Sequence, residues 1–315
     1  MPRPPQDRVR LVRVADASGL PRGVRDPAFW AGWLGDGWEG GEKLSEKPGA
    51  SVRVLATDAG RTMPEFAMPE LVVKVEPIGS LRRTLQSLTH TTPLERHWRG
   101  ADALHQAGIR TARPVALLRG MTRDTPPRRV ECLVMERAPG ATLLAHLAGA
   151  PRGDPHTLSR DERARVARAV ARMVFRLHAR GLVNRDPKPS NLIVLDPRGA
   201  SPEIAVVDCV GVRRARPWER LGSARDHRLA RTLASLVIEP IGTGCPPART
   251  DRMRVLSELA RLLRAEGFAA PRSRDLWRSV EALVRAHADP RPAHDPLAAS
   301  RLPGSGGGTA RPPTD

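Results

Sequence analysis

The stretch from Leu182 to Val194, which reads LVNRDPKPSNLIV, restricts the possible folds of this chain more than any other feature. An acid at Asp186, a cation at Lys188 and an amide at Asn191 lie close together and lead into the apolar residues 192–195. Such an acid can accept a hydroxyl proton, the Lys can neutralise a transferring phosphoryl group, and the Asn carbonyl oxygen can bind a metal ion. The spacing therefore indicates phosphoryl transfer.

A second acid follows at Asp208, directly after the short apolar strand expected at its N-terminal side and three positions before Gly211. The interval from Asp186 to Asp208 has room for two short strands joined by the turn 196–199. Asp186 and Asp208 are therefore each expected in a turn next to a short strand.

Two strand-like segments lie in the N-terminal half, Ser51–Leu55 and Leu71–Val75, separated by a loop rich in Gly, Pro and Met. Lys74 lies inside the second segment, which is otherwise apolar. A Lys in a buried strand needs an anion or a carboxylate partner. On an edge strand it can instead point to solvent, and this segment alone leaves both interpretations open.

Helical periodicity predicts a helix over residues 93–107, which ends before Gly108. Its apolar face consists of Leu94, Trp98, Ala101 and Leu104. Another helix begins at the capping-box sequence 159–162. Its apolar stripe, which we expect in the core, consists of Val166, Val170, Met173, Val174 and Leu177.

Further amphipathic helices are predicted after Asp226 and near residues 252–265 and 274–287. Strands thus gather in residues 50–137, whereas helices dominate beyond residue 140. Because the polar candidate residues come from both halves, the pattern predicts an α+β protein with two lobes and a crevice between them.

These segments resemble the protein-kinase-like superfamily. The loop around Asp186 resembles its catalytic loop, with Asn184 where that superfamily usually has His, and the pattern DxxGVRR at 208–214 resembles its DFG-type turn. This pattern and the segment 108–117 are similar to the bacterial lipopolysaccharide kinases, which phosphorylate Kdo or core heptose. The resemblance covers about residues 43–240 and implies a two-lobed protein-kinase-like fold with a small β-rich N-lobe and a helical C-lobe.

The resemblance implies an enzyme, an ATP-dependent kinase that uses Mg²⁺. Asp186 would orient or deprotonate the acceptor hydroxyl, and Lys188 would stabilise charge in the transition state. Asn191 and Asp208 would bind Mg²⁺, and Lys74 would hold the α- and β-phosphates of the nucleotide.

The resemblance also implies nucleotide contacts elsewhere in the N-lobe. Gly49 lies where a Gly-rich loop would cover the phosphates. Met135 would be the gatekeeper residue, and backbone groups from Glu136 to Ala138 would meet adenine.

The helix over residues 93–107 resembles the kinase αC helix, whose Glu pairs with the strand Lys. Here His97 holds the position expected for that Glu, while Glu95 lies on the other side of the apolar face. Either Glu95 serves this role in a shifted helix, or the ion pair is missing.

We expect four segments along the chain: an N-terminal extension at 1–42, the N-lobe at 43–137, the C-lobe at 138–289 and a disordered tail at 290–315. The tail is rich in Pro, Gly and Ser. In the extension, Trp30, Trp33 and Trp38 are expected to pack on the adjacent domain.

The chain is strongly basic, with 52 Lys and Arg against 34 Asp and Glu and a formal net charge of +18. This charge suggests an anionic partner, although scattered arginines also suit a solvated surface. Arg213 and Arg214 are candidates for contact with an anionic acceptor. With no Tyr and only four Phe, a surface that stacks nucleic-acid bases is not expected.

The cysteines favour a reducing cytosol, because Cys132, Cys209 and Cys245 fit neither a disulfide framework nor a zinc spacing. The N-terminus has no continuous apolar segment, and no stretch approaches the length of a transmembrane helix. We expect a cytoplasmic protein, with a peripheral position at the inner membrane left open, whose partners are ATP and a sugar or glycolipid acceptor at that surface.

Three alternatives remain open at this point. The acceptor could be a protein hydroxyl or a small molecule such as an aminoglycoside or choline, because a fold does not settle the substrate. The chain could be a non-catalytic pseudokinase that serves as a nucleotide-binding scaffold. It could also be a nucleic-acid-binding protein, but that would leave the acids at 186 and 208 without a role.

Overall fold

The computed structural model describes residues 9–14, 42–47, 50–55, 70–121, 128–152, 156–268 and 271–287. In these residues, strands dominate up to Glu136 and helices dominate beyond Thr142. The α+β character predicted from the sequence is confirmed. The predicted positions of Gly49, of Trp30, Trp33 and Trp38, and of the tail 290–315 lie outside the described residues.

Six antiparallel strands form the N-lobe sheet: β1 (Val9–Val14), β2 (Glu42–Lys47), β3 (Ala50–Leu55), β4 (Leu71–Pro77), β5 (Pro114–Met121) and β6 (Arg129–Glu136). Their order across the sheet is β1-β5-β6-β4-β3-β2. β3 and β4 confirm the two strands predicted in this region. β1 falls within the segment predicted as an extension, and its pairing with β5 makes it part of the sheet.

β4 places alternate residues on opposite faces of the sheet, because successive side chains of a strand point to opposite sides. One face buries Leu71, Val73 and Val75 in a cluster with residues of β5 and β6. Val72 faces the other side, where it packs against a cluster that contains Trp98. Lys74 shares the face of Val72, and β4 lies between β3 and β6. Lys74 is therefore on an interior strand, which excludes the edge-strand interpretation.

Seven helices are described: α1 (Leu81–Leu88), α2 (Pro93–Gln106), α3 (Leu143–Arg152), α4 (Arg160–Ala179), α5 (Gly222–Gly242), α6 (Arg249–Ala265) and α7 (Ser273–Arg285). α2, α4, α6 and α7 confirm predicted helices to within a few residues. α5 confirms the helix expected after Asp226, but it begins four residues earlier, at Gly222. None of the described helices is long and apolar enough to cross a membrane.

α4 forms the centre of the C-lobe. Ser159 and Glu162 complete the predicted capping box by exchanging hydrogen bonds with each other's backbone N–H groups. The predicted apolar stripe of α4 is buried, and α4 contacts α6 and the strands Leu182–Asn184 and Glu203–Val206. α4 thus provides a rigid base for the segments that follow it.

Two small sheets hold the two acidic segments. β7 (Ala141–Thr142), β9 (Leu192–Leu195) and β10 (Glu203–Val206) form one sheet, and β8 (Leu182–Asn184) pairs with β11 (Val212–Arg214) in the other. The segment that contains Asp186 leaves β8 and enters β9, whereas Asp208 lies between β10 and β11. Because β8 pairs with β11 and β9 with β10, the two acids come from the same ends of paired strands.

The two lobes meet where α2 and the residues after it approach β10 and β11. The Val206 N–H donates to the Arg110 carbonyl oxygen at 2.9 Å, and Thr111 forms a parallel bridge with Val206. α2 contacts β11. The architecture is the predicted two-lobed protein-kinase-like fold, with a β-rich N-lobe and a helical C-lobe.

His178, near the end of α4, is buried and packs edge-on against Phe268 with 5.8 Å between ring centroids. Burial, followed by the charges of Arg228 and Arg225, lowers its pKa from 6.5 to about 4, against the opposing effect of Asp226. The imidazole is therefore neutral at pH 7. Its Nδ1 lies 3.4 Å from Arg228 Nη2.

We expect His178 to make the fold sensitive to acid. Its folded-state pKa lies below the unfolded value, so its contribution is complete above the unfolded pKa and falls as the pH drops towards 4. From about pH 7.5 to about pH 5 this group should remove about 2 kcal/mol of unfolding free energy. Urea unfolding at both pH values should show that His178→Gln loses about 2 kcal/mol less unfolding free energy on acidification than wild type does. The exposed His105→Gln should lose as much as wild type, and equal losses in all three proteins would contradict the expectation.

Candidate active site

Three polar side chains between β8 and β9 contact one another. Asn191 Nδ2 donates hydrogen bonds to the backbone oxygen and to Oδ2 of Asp186, both at 3.1 Å. Lys188 Nζ lies 3.4 Å from Asp186 Oδ2. The Asp186 side chain is 54% exposed, so a substrate can reach its carboxylate. The structure thus brings together the three residues that the sequence singles out in this loop.

Asn184, at the end of β8, positions Asp186 from a buried location. Its Oδ1 accepts a hydrogen bond from the Asp186 N–H at 3.1 Å. A Cβ added to Gly211 would lie 3.4 Å from the same oxygen, so the DxxG segment packs closely on this side chain. The residue that replaces the usual His therefore links the two acidic segments.

Asp208 and Lys74 come from different lobes and form an ion pair. Lys74 Nζ lies 3.8 Å from Asp208 Oδ1. Burial favours the neutral carboxyl, but the charge of Lys74, followed by the interactions with His97 and the Val210 N–H, outweighs it and lowers the pKa of Asp208. Asp208 is therefore a carboxylate at neutral pH, as a metal ligand must be.

His97, on α2, also faces this pair. Its Nδ1 lies 3.6 Å from Asp208 Oδ1, and its side chain is only 1% exposed. Burial, followed by the charge of Lys74, lowers the pKa of His97 from 6.5 to about 4, against the opposing effect of Asp208. The imidazole is neutral at pH 7, and neither ring nitrogen has a hydrogen-bond partner among the described residues.

Glu95 is not brought to Lys74. Its carboxylate completes a capping box with Thr92 at the start of α2 and pairs with Arg119 at 2.8 Å. His90 Nδ1 lies 2.8 Å from the same carboxylate. Because these contacts occupy Glu95, the structure does not support the expectation that it serves as the αC Glu. The sequence T-x-x-E at 92–95 is the signal that could have identified the cap.

α2 lies directly against the segment that holds Asp208. A Cβ added to Gly100 would overlap the Cys209 carbonyl oxygen, so only a glycine allows this approach. His97 precedes Gly100 by three residues and therefore lies on the same side of the helix. The close packing of α2 thus decides which of its side chains faces Asp208 and Lys74.

The expected adenine-binding segment follows β6. Met135 is buried with Leu94, Trp98, Leu117 and Leu133. The Glu136 N–H donates to the Arg113 carbonyl oxygen at 2.9 Å, so the sheet already uses this donor. Ala138 lies beyond the strand, between the sheet and α3. Met135, Glu136 and Ala138 thus lie where the chain passes from the N-lobe sheet to the C-lobe.

The two arginines after the DxxG segment differ in their environment. Arg213 donates two hydrogen bonds to Glu219, at 2.7 and 2.6 Å. These bonds, together with the Arg216 N–H, lower the pKa of Glu219 to about 2. Arg214 is exposed. Arg213 is therefore engaged within the protein, and Arg214 is the one that remains exposed to an anionic ligand.

Glu239, on α5, holds the segment next to Asn191, and it is a functional candidate that the sequence interpretation missed. Its Oε2 accepts from the Ser190 N–H at 2.8 Å, and its Oε1 accepts from Ser190 Oγ at 2.6 Å. The side chain is buried. The sequence signal that could have identified it is a single acid within the apolar residues 236–241. A carboxylate buried at such a position requires hydrogen-bond partners.

We expect Glu239→Ala to destabilise the protein by about 2–3 kcal/mol, because it leaves two donors of Ser190 without their charged acceptor. The turnover number should fall as well, since Asn191 adjoins Ser190. Glu239→Gln should retain most of both, because the amide can accept from the N–H and donate to Oγ. Urea unfolding and phosphoryl-transfer assays would measure these effects, and a Gln variant as impaired as the Ala variant would argue against this hydrogen-bond role.

Comparisons with known proteins identify the family of this chain. Residues 78–243, more than half of the chain, match the lipopolysaccharide kinase (Kdo/WaaP) family. Among solved structures, the chain is similar to one described as WaaP in complex with acyl carrier protein, with 20% identity, a TM-score of 0.48, and coverage of 78% of this chain and 88% of that one. It is also similar to a ROP18 kinase domain in complex with AMP-PNP and sucrose, with 18% identity, a TM-score of 0.42, and coverage of 78% and 81%. No curated protein sequence matches the chain.

The matched region begins just before α1 and ends just after α5, so it includes α2, both small sheets and the loops that carry Asp186 and Asp208. The resemblance inferred from the sequence is confirmed at the level of the family, and with it the classification as an enzyme. The chain belongs to the lipopolysaccharide kinase (Kdo/WaaP) family, and it is a kinase.

Proposed function

We propose that this kinase transfers the γ-phosphoryl group of ATP to a hydroxyl of a lipopolysaccharide core sugar or of another glycolipid sugar. The observation that carries the proposal is the ion pair between Lys74 and Asp208, which come from different lobes. The strands next to Asp208 pair with the strands next to the loop that contains Asp186, Lys188 and Asn191. Charge stabilisation and positioning are the main requirements of phosphoryl transfer.

In this proposal each side chain has one role. Asp186 orients the acceptor hydroxyl and takes up its proton, and its exposure allows the acceptor to approach. Lys188 neutralises charge on the transferring group, and Lys74 binds the phosphates of the nucleotide. Asn184 and Glu239 keep the loop in place through its backbone and through Ser190.

The side chains fit Mg²⁺ as the metal ion. Asp208 is ionised, and carboxylate and amide oxygens are ligands that Mg²⁺ prefers. Among the described residues no group of three or more His, Cys, Asp or Glu could hold a metal ion. This agrees with a site in which Asp208 and Asn191 provide few ligands and phosphates and water complete the shell. When bound, Mg²⁺ would offset the negative charge of the phosphates.

A glycolipid acceptor suits both the family and the charge of the chain. The formal charge of +18 favours an anionic surface, where each nearby Lys or Arg contributes about 1 kcal/mol. We infer that the enzyme acts at the cytoplasmic side of the inner membrane, as a peripheral protein.

The proposal is tested by measuring Mg²⁺-dependent ATP binding and phosphoryl transfer to lipopolysaccharide core oligosaccharide by the purified protein. Asp208→Ala should weaken Mg²⁺-dependent ATP binding by about tenfold or more, because the metal loses its only carboxylate in the proposed site. Asp275→Ala, which removes an exposed carboxylate on α7, is the control. Wild-type binding and transfer by Asp208→Ala would refute the site assignment, and ATP turnover with protein acceptors only would refute the sugar acceptor.

A further inference from the structure

α1 has its apolar side towards solvent. Leu81, Leu85 and Leu88 are 78%, 54% and 71% exposed, and no residue of the helix is buried. Their spacing of four and three residues places them within about 60° of one another around the helix axis. A helix on a protein surface ordinarily turns such a stripe towards the core. The reversed orientation of α1 therefore indicates an interaction surface.

The polar side of α1 fastens it to the N-lobe. Arg83 pairs with Glu76 of β4 at 3.2 Å, and Ser80 caps the first turn. Arg119 of β5 donates to the Ser87 carbonyl oxygen at 2.9 Å while it also pairs with Glu95. These contacts on two strands and on α2 fix the helix, so the outward direction of the leucines is a property of the fold.

A second surface of the same composition lies in the C-lobe, on the 3₁₀ turn Pro217–Arg220 and the residue after it. Trp218 and Leu221 are 60% and 69% exposed. The exposed arginines around them are Arg214, Arg216 and Arg220. Of the seven exposed large hydrophobic residues in the described parts of the chain, five belong to these two surfaces.

Both surfaces are basic as well as apolar. No acid occurs in residues 77–94, and Arg82 is exposed beside the leucine stripe. The acid of the second surface, Glu219, is neutralised by two hydrogen bonds from Arg213. The Arg216 guanidinium stacks 5.3 Å from the centre of the Trp218 ring. Exposed Leu and Trp combined with exposed Arg is the composition of surfaces that bind anionic membranes.

The fold connects the two surfaces. Residues 89–92 join α1 to α2, α2 contacts β11, and the 3₁₀ turn begins three residues after β11 ends. The same contact of α2 with β11 lies beside Asp208. α2 and β11 therefore connect the two surfaces, one from each lobe, through a contact that lies next to Asp208.

We propose that the Leu81–Leu85–Leu88 stripe and the Trp218–Leu221 surface dock this kinase on an anionic phospholipid bilayer. This inference rests on the proposed function, because docking would bring the candidate site to an acceptor anchored in the same bilayer. Shallow insertion of leucine and tryptophan side chains requires no complementary groove, and the arginines beside them attract phospholipid headgroups. A lipid surface fits this charge better than a second copy of the chain, whose corresponding surface would carry the same positive charge.

The test is flotation of the full-length protein with vesicles of phosphatidylcholine, with and without phosphatidylglycerol. Wild type should bind the anionic vesicles and be released by salt. The variant Leu81→Gln/Leu85→Gln/Leu88→Gln should bind them about tenfold more weakly or worse, because three apolar side chains no longer insert. Trp218→Gln/Leu221→Gln should weaken binding in the same direction. Ile241→Gln/Met253→Gln, which removes two exposed hydrophobic residues outside both surfaces, should bind like wild type.

Mg²⁺-dependent ATP binding in the absence of vesicles separates this inference from the proposed function. The leucine variant should bind ATP as wild type does, since none of its changed residues lies in the candidate site. Absence of vesicle binding by wild type, or equal binding by the leucine variant, would overturn the docking proposal and leave the kinase assignment standing. A wild-type dimer that the leucine changes convert to a monomer, without vesicle binding, would overturn it in favour of a protein interface.

Discussion

Replacing Asp186 with Asn should lower kcat for sugar phosphorylation by about 10²- to 10⁴-fold, the usual contribution of a positioned general base. The nucleotide Kd should change little, because Lys74 and Asp208 lie on other segments. The Asn side chain has the shape of Asp and can still meet Lys188 and Asn191, so the loop should keep its conformation. It cannot take up the proton of the acceptor hydroxyl.

Single-turnover kinetics with saturating ATP would measure this effect, together with ATP binding and urea unfolding of the same preparation. Asp275→Asn makes the same chemical change at an exposed position of α7 and should leave kcat and ATP binding unchanged, while the loss of its 3.5 Å contact with Arg278 should lower the unfolding free energy by at most about 1 kcal/mol. If Asp186→Asn kept wild-type kcat, or lost activity only in proportion to lost folding, Asp186 would not be the base.

Gly100→Ala should destabilise the protein by about 1–3 kcal/mol, which is the cost of forcing additional atoms into a packed site. The sign makes this prediction informative, because Gly→Ala inside a helix ordinarily stabilises by about 0.5–1 kcal/mol. Here the new Cβ would overlap the backbone oxygen of Cys209, which is not a flexible side-chain end. α2 or the DxxG segment must move away.

The same displacement should impair the site, because Cys209 follows Asp208 and His97 lies on the side of α2 that carries Gly100. We expect weaker Mg²⁺-dependent ATP binding by Gly100→Ala even at temperatures where it is fully folded. Gly79→Ala is the matched control, since a Cβ there meets no atom within 4 Å. A stabilised Gly100→Ala variant, measured by urea unfolding, would show that the close approach of α2 is wrong.

The replacement of the αC acid by a neutral histidine changes the electrostatics of Lys74. In the pattern that the sequence resembles, a Glu on this helix balances the strand Lys. Here Glu95 is occupied by Thr92 and Arg119, and the carboxylate near Lys74 is that of Asp208. The ionised state of Asp208 therefore depends on Lys74 more than on any other charge. Nucleotide binding should thus require both residues together.

The sequence was sufficient where the information is local. The roles proposed for Asp186, Lys188 and Asn191 depend on a spacing of a few residues in one loop, and the structure places these side chains in contact. The α4 stripe and its cap were predictable for the same reason, because helix periodicity and capping involve neighbours along the chain. The apolar neighbours of Lys74 in the sequence are compatible with an interior strand. Only the order of the strands in the sheet showed that β4 is not an edge strand.

Only the tertiary structure decided which face of each helix meets which partner. Periodicity placed Glu95 and His97 on different sides of α2, but the packing of Gly100 on Cys209 determined that His97 faces Asp208. Glu239 and Ser190 are 49 positions apart, so no local pattern joins them. The leucine stripe of α1 points outward because Arg83 and Ser87 bind its polar side to the sheet. Periodicity shows that a helix has two faces, whereas long-range contacts determine which face is buried.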